Sequence, residues 1–343
     1  MDLTHTAEPS PAASREDAAA RASHRALPGA VLGLSLLITV LVVAFAWPAS
    51  RTAPRDLPLA LVAPAAVASH VEHQLAQGHP GAFQVTRFDS TAEAVQAIRS
   101  REVYGALVLA PRPEVLTASA ASPVVAQLLG QAATQMAGPS AAGGAVPVRD
   151  VVPLPEGDPH GAALAAGALP IVVGSILTAV VLALRFPGRG RRLGAAVAVA
   201  VLGGFGATAL LQLWLGALGG ALAANWAIVS LGILAIACCP LGLYQLVGRA
   251  GLTLGAALIV LLSVPLSGLT GAPELLPSGW SALGQLMPVG AVGTAIRSTA
   301  FFDGHAVIGP LVVVLCWIVA GAACIAVRRR TEPAALRAIA GEG

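Results

Sequence analysis

The sequence predicts an α-helical integral membrane protein with six transmembrane helices and an extracytoplasmic α/β domain inserted between helices 1 and 2. Three observations carry that expectation. Hydrophobic residues make up 56% of the 343-residue chain and charged residues only 11%, against about 25% charged in ordinary globular domains. Six apolar segments come close to the ~20 residues that cross a bilayer core. Between the first two lies a long polar stretch in which strand-like and helix-like runs alternate.

The six segments are 29–47, 162–186, 193–215, 223–247, 251–268 and 306–327. Arginine in the short flanks sets their orientation. Arg15, Arg21 and Arg25 precede the first span, and Arg185, Arg189, Arg191 and Arg192 fill the turn FPGRGRRL after the second. Arg249 follows the fourth, and Arg328, Arg329 and Arg330 follow the sixth. If the spans alternate, all of these share one side, so the segment 1–28 and the tail 328–343 are both expected to be cytoplasmic. Arg51 and Arg55, just past the first span, are the exceptions. Tryptophan, which prefers the membrane–water interface, agrees: Trp47, Trp214, Trp226 and Trp280 fall at the outer interface, while Trp317 is expected to pack within the last span. The Ala44-Phe45-Ala46 triplet has the form of a signal-peptide cleavage site. The apolar run before it is longer than a signal peptide needs, which favours a retained span. The lead before that span reads as a short helix, with Ser10 as cap and Pro11 at its first position.

Residues 48–161 form the sizeable polar region. LPLALVA (57–63) reads as a strand and 65–77 as a helix; 82–88 is an alternating strand and 91–100 a helix. VYGALVLA (103–110) is an apolar strand, followed by a helix over about 122–136, the breaker-rich linker AGPSAAGGA and a last strand at 146–152. This alternation predicts a largely parallel sheet, in a segment long enough to bury a core of its own.

The residue inventory excludes several chemistries. All 20 basic residues are Arg, so no lysine-dependent phosphate loop or Schiff base exists here. Cys238, Cys239, Cys316 and Cys324 lie in apolar runs, which offers no disulfide framework and no CxxC metal site. His70 and His73, with Glu72 and His79 nearby, lack the i,i+4 spacing of a zinc helix and read as a solvated face. GGFG (203–206), Gly216/Gly220 and Gly251/Gly255 read as close helix packing against a neighbour or a second copy. No catalytic, metal or cofactor site is read, and no nucleic-acid partner. No Asp or Glu lies within the six spans, which argues against a proton-coupled antiporter.

One segment resists the simple span pattern. Residues 273–304 are apolar, yet Pro273, Pro277 and Pro288 interrupt them. Two short helices, 278–286 and 289–300, are expected, each too short to cross ~30 Å of hydrocarbon. Pro288 breaks the chain between them, giving a hairpin that dips in from the outer side. Broken backbone at that depth needs protein or a water-filled cavity around it.

A large outer domain, closing spans, the pattern LP..W..L...MP.GA.....R...FF and the stretch AVQAIRSREVYGALVLAP together resemble ABC-2-type ABC transporter permeases. The branch they resemble most includes phage-infection-protein-like membrane proteins. The resemblance implies one half of a homo- or heterodimeric exporter pore in a bacterial plasma membrane, moving an amphiphilic or lipid-like substrate. ATP would be hydrolysed by a separate cytoplasmic ATP-binding subunit, since this chain carries no such module. It further implies an outer gate at Pro277, Trp280, Pro288 and Arg297. The loop bearing Arg185, Arg189, Arg191 and Arg192 would set topology or couple to the ATPase. The alternative is a non-transporting envelope protein whose outer domain is a binding or secretion scaffold.

Overall fold

The computed structural model describes residues 11–137 and 146–327. The Ser10 cap, the linker residues 138–145 and the tail arginines lie outside the described residues. The chain divides after Ser50 into two compact units. In the first, α1 (Pro11–Ser50) is one helix of 40 residues with Pro28 and Pro48 inside it, so the expected lead helix and first span are a single element. Its part Leu27–Ser50 is apolar and long enough to cross a membrane.

The second unit begins with a five-stranded sheet in the order β2-β1-β3-β4-β5. The strands are β1 (Leu57–Val62), β2 (Phe83–Arg87), β3 (Gly105–Val108), β4 (Glu114–Thr117) and β5 (Val148–Asp150). Helices α2 (Ala65–Gly78), α3 (Thr91–Arg99) and α4 (Pro123–Ala137) fall where the alternation places them. Ser90 caps α3 by accepting the Glu93 N–H, and the Glu93 carboxylate accepts the Asp89 N–H in return, a variant of the capping box.

β4 is an element the sequence reading lacks, and it changes the sheet. β1 pairs in parallel with β2 and β3, and β4 with β5, but β3 and β4 are antiparallel. The sheet is therefore mixed. Only residues 109–113 join β3 to β4, far fewer than the dozen or so that a parallel crossover needs.

Among the described residues seven α-helices follow. They are α5 (Ala162–Arg185), α6 (Arg189–Ala209), α7 (Leu222–Val247), α8 (Arg249–Leu258), α9 (Trp280–Leu286), α10 (Pro288–Phe301) and α11 (Ile308–Ala326). A π turn, Leu210–Trp214, extends α6, and another, Ile259–Ser263, extends α8. Among the described residues, five helices are long and apolar enough to cross a membrane: the apolar part of α1, then α5, α6 with its π turn, α7 and α11. The expected crossing at 251–268 is shorter than a full span. Its helical part, Arg249–Ser263, reaches only about 22 Å at 1.5 Å per residue. The chain then turns at Gly268, held at φ +66.

α7 is the hub of the helical layer. Two thirds (67%) of its apolar stretch is buried, against 28% or less for α5, α6 and α11. It packs against α5, α6, α8, α10 and α11. Gly251 and Gly255 let α8 approach so closely that an added Cβ would strike the Leu243 carbonyl and Pro240 of α7. That pair serves a neighbouring helix of the same chain. Gly216 and Gly220 do not behave as a helical pair: both have positive φ (+61 and +68) in the loop before α7. Asp158 caps α5 by accepting the Ala162 and Ala163 N–H groups, each at 2.8 Å, where a carboxylate suits the positive end of the helix. The four cysteines are free, with Cys238 and Cys239 buried and Cys316 exposed.

Candidate functional site

Two stretches far apart in sequence, 94–111 and 276–302, meet in space. Arg101 follows α3 in the turn to β3 at φ +63, a left-handed conformation that non-glycine residues adopt at a cost of about 1–3 kcal/mol. This turn aims its side chain at α10. There the guanidinium donates to the Thr294 carbonyl (2.9 Å) and the Ser298 hydroxyl (2.6 Å), and lies 5.2 Å from the centre of the Phe302 ring. Phe302 is 2% exposed and belongs to the same core as Ile98, Val103 and Leu116 of the α/β domain. Three residues on, Tyr104 donates to the Glu274 carboxylate at 2.7 Å.

The segment before α9 completes the seam. Ala272 and Leu275 sit in the second core of the α/β domain, with Leu57, Val115 and Leu129. The Ala53 and Arg55 N–H groups donate to the Leu275 and Glu274 carbonyls, at 3.1 and 3.0 Å. The α/β domain thus shares its core with residues 272–302 and is not self-contained.

The broken hairpin exists, as α9 and α10. Pro288 is buried at the first position of α10, where its missing N–H costs nothing. The next N–H, of Val289, donates to the Ser263 hydroxyl at 3.1 Å. On the other side of the break, Trp317 of α11 donates to the Leu286 carbonyl at 2.8 Å. Trp317 is more than packing: it satisfies a carbonyl that the end of α9 leaves open. Gly284 and Gly290 make the tight corner possible, because a Cβ on the first would strike the Leu266 carbonyl and on the second the Gly284 carbonyl. Among the expected gate residues, Pro277 and Trp280 are half-buried, while Pro288 and Arg297 are buried.

Between the α/β domain and the hairpin lies a polar cavity of about 230 Å³. Its charged and polar lining includes Arg101, Glu102, Tyr104, Glu274, Gln285, Thr294 and Arg297, two guanidiniums against two carboxylates. Gln285 and Thr294 are tied together at 2.7 Å, which links α9 to α10. Arg297 is 5% exposed and donates one hydrogen bond, to the Leu269 carbonyl. Burial lowers the Arg101 guanidinium from its ordinary range. Burial, together with the adjoining Glu274 carboxylate, pushes the Tyr104 hydroxyl well above its own, so it acts as a neutral donor.

A second polar cluster binds the helices deeper in the layer. Asn225, fully buried at the start of α7, donates to the Gln212 side chain (2.9 Å) and the Gly219 carbonyl (2.7 Å). It accepts from Thr299 of α10 at 2.7 Å. This holds α10 to α7 and to the π turn that ends α6.

The arginine loop is divided in its roles. Arg192 donates to the Ala183 and Phe186 carbonyls and stacks 5.0 Å from the Tyr244 ring, while Arg189 donates to the Ala326 carbonyl at the end of α11. These two cap helix C-termini. Arg185 and Arg191 are exposed, as is Arg249. On α2, Glu72 is taken by Arg87 through two 2.6 Å hydrogen bonds. Among the described residues no group of three or more His, Cys, Asp and Glu could hold a metal.

Compared with protein-family models, curated proteins and solved structures, the chain shows no significant match. Of the site, the sequence reading contains Pro288, Trp280 and Arg297 but not Arg101, Tyr104 or Glu274. The available signal was Arg101 itself, a second arginine inside the quoted stretch IRSREVYG.

Proposed function

We propose that this chain is the membrane-spanning permease subunit of an ABC-type exporter in a bacterial plasma membrane, working as one half of a pore. It moves an amphiphilic or lipid-like substrate, with ATP hydrolysed by a separate cytoplasmic subunit. The observation that carries this reading is the seam itself. The outer domain grips α10 through Arg101 and Phe302, and α10 in turn packs on α7 and α11. A displacement of the helices would therefore reach the outer domain through packed side chains, as a gate at the exit of a path requires. Exposed Arg185, Arg191 and Arg249 at the opposite ends of α5, α6 and α8 give a basic surface on which a partner subunit can bear.

The test is to purify the tagged chain from its native membrane in mild detergent and assay ATP hydrolysis. An ATPase should co-purify, and reversing charge at Arg185 and Arg191 together should release it, with topology checked in parallel. A clean preparation without ATPase, from a strain whose deletion mutant exports normally, would replace the exporter reading with that of a scaffold.

A further inference from the structure

The helices α5 and α6 part along their length. Near the short turn that joins them they pack directly, with Leu182 and Ala183 in one core with Ala196. Toward the start of α5 and the end of α6 a cleft of about 380 Å³ opens between them. Ile233 of α7 and Leu211 of the π turn, both buried, form its base. Glycine keeps it open. An added Cβ would meet nothing within 4 Å at Gly174, and at Gly203 only the tip of Ile233, at 3.9 Å. The polar side chains in the wall, Ser175 and Thr178, donate to carbonyls of their own helix, those of Ile171 (2.7 Å) and Gly174 (2.8 Å). Among the described residues no side-chain donor is left in the wall for a polar ligand, and apolar spaces stay dry. The volume falls within the ~300–1,000 Å³ of small-molecule sites, which occur between the helices of bundles.

The cleft is continuous with a lipid-facing surface. Leu169, Val173 and Leu177 flank it on α5 and Leu202 on α6, all exposed, and in a bilayer such faces meet hydrocarbon. Ile171 and Leu211 also line a second, smaller apolar pocket of about 50 Å³, whose far wall is Val289, Val292 and Ile296 of α10. We propose that the cleft between α5 and α6 is a binding site for one acyl chain of a membrane phospholipid, its end directed past Ile171 and Leu211 toward α10. Hydrocarbon is the chemistry these walls match, and the surrounding bilayer supplies it. Reading that chain as the tail of the exported amphiphile rests on the exporter reading; the acyl-chain site itself does not.

The experiment reconstitutes the full-length chain in phosphatidylcholine vesicles holding a trace of phosphatidylcholine with a mid-chain diazirine. After illumination, the labelled residues are mapped by mass spectrometry. Labelling should concentrate on 167–178 and 199–211, above that of the exposed Val312 and Val319 of α11, which report ordinary lipid contact. Gly174→Leu places its side chain in open space and fills the cleft. It should cut cleft labelling about tenfold, as excluding about two buried methylenes implies, and leave α11 unchanged. Gly203→Leu repeats the test from the opposite wall. A phosphatidylglycerol bearing the same diazirine chain should label equally, because the walls read the chain and not the headgroup. Cleft labelling no denser than that of α11, labelling unchanged in both variants, or labelling by one headgroup alone would overturn the proposal. So would an unlabelled cleft whose filling by Gly174→Leu dissociates a dimer, which would give the cleft to a helix of a second copy. Whether an ATPase co-purifies bears on none of these outcomes, so this proposal and the exporter reading fail separately.

Discussion

At Arg101 the backbone sits at φ +63, and the side chain that this turn delivers makes two hydrogen bonds and a ring contact on α10. Tyr104 stands beside it with its hydroxyl held neutral by burial and by Glu274. A tyrosine whose folded value is raised binds its proton more tightly folded than unfolded. Its contribution is complete below the unfolded value of about 10 and is lost as pH rises through the alkaline range above it. Tyr104→Phe should lower stability by roughly 1.5–3 kcal/mol, the worth of a hydrogen bond to a charged group, and flatten the alkaline limb of a thermal-stability profile. A limb as steep as that of the parent would refute the assignment. Phe302→Ala should cost about 3–5 kcal/mol by emptying a core position, read as a lower melting temperature. Arg297 was legible from its place in the motif, twenty residues after Pro277. Arg101 and Tyr104 were not, because their partners lie 170 to 197 positions away. No local periodicity reports such a contact.

The hairpin elements were legible as a pair of short helices because proline punctuates the chain locally, and Pro288 can only end one helix or start the next. What holds them was not. Ser263, Trp317 and Leu266 come from other elements, and only the folded chain brings them to the break. The corner admits no side chain at position 284, so Gly284→Ala should sharply lower detergent stability, whereas Gly174→Ala on α5, where a Cβ meets nothing within 4 Å, should be neutral. Comparable melting temperatures for the two variants would mean that the corner can open. The same locality explains the missed strand. Glu114–Thr117 is four residues long, too few for alternation to show, and β3 supplies its pairing partner. The segment 251–268 failed as a full span for a related reason: hydropathy counts apolar residues and does not register the turn at Gly268.

For the whole molecule, membrane character followed directly from composition, while the union of the α/β domain and the helices did not. The strand–helix alternation suggested a domain with a core of its own, but Ala272, Leu275 and Phe302 belong to that core. A fragment of residues 57–153 should therefore bind a hydrophobic dye and melt without a cooperative transition, followed by circular dichroism. A sharp two-state melt would show that the seam is dispensable. Orientation is checked by cysteine labelling of intact cells, which should modify a cysteine placed at Ser119 and spare one placed at Gly190; the reverse pattern would invert the topology.

The central claim of the proposed function is that the hairpin and the α/β domain respond together to the ATP cycle of the proposed partner. The most direct measurement is the labelling rate of Ser281→Cys, at the cavity wall, by an impermeant maleimide in native membranes, with the four native cysteines replaced by alanine. The account predicts that trapping the ATPase with ATP and vanadate changes that rate at least about fivefold, the lower end of ordinary coupling between sites. A rate identical with and without trapped nucleotide, in membranes where the partner ATPase is shown to be present, would contradict it.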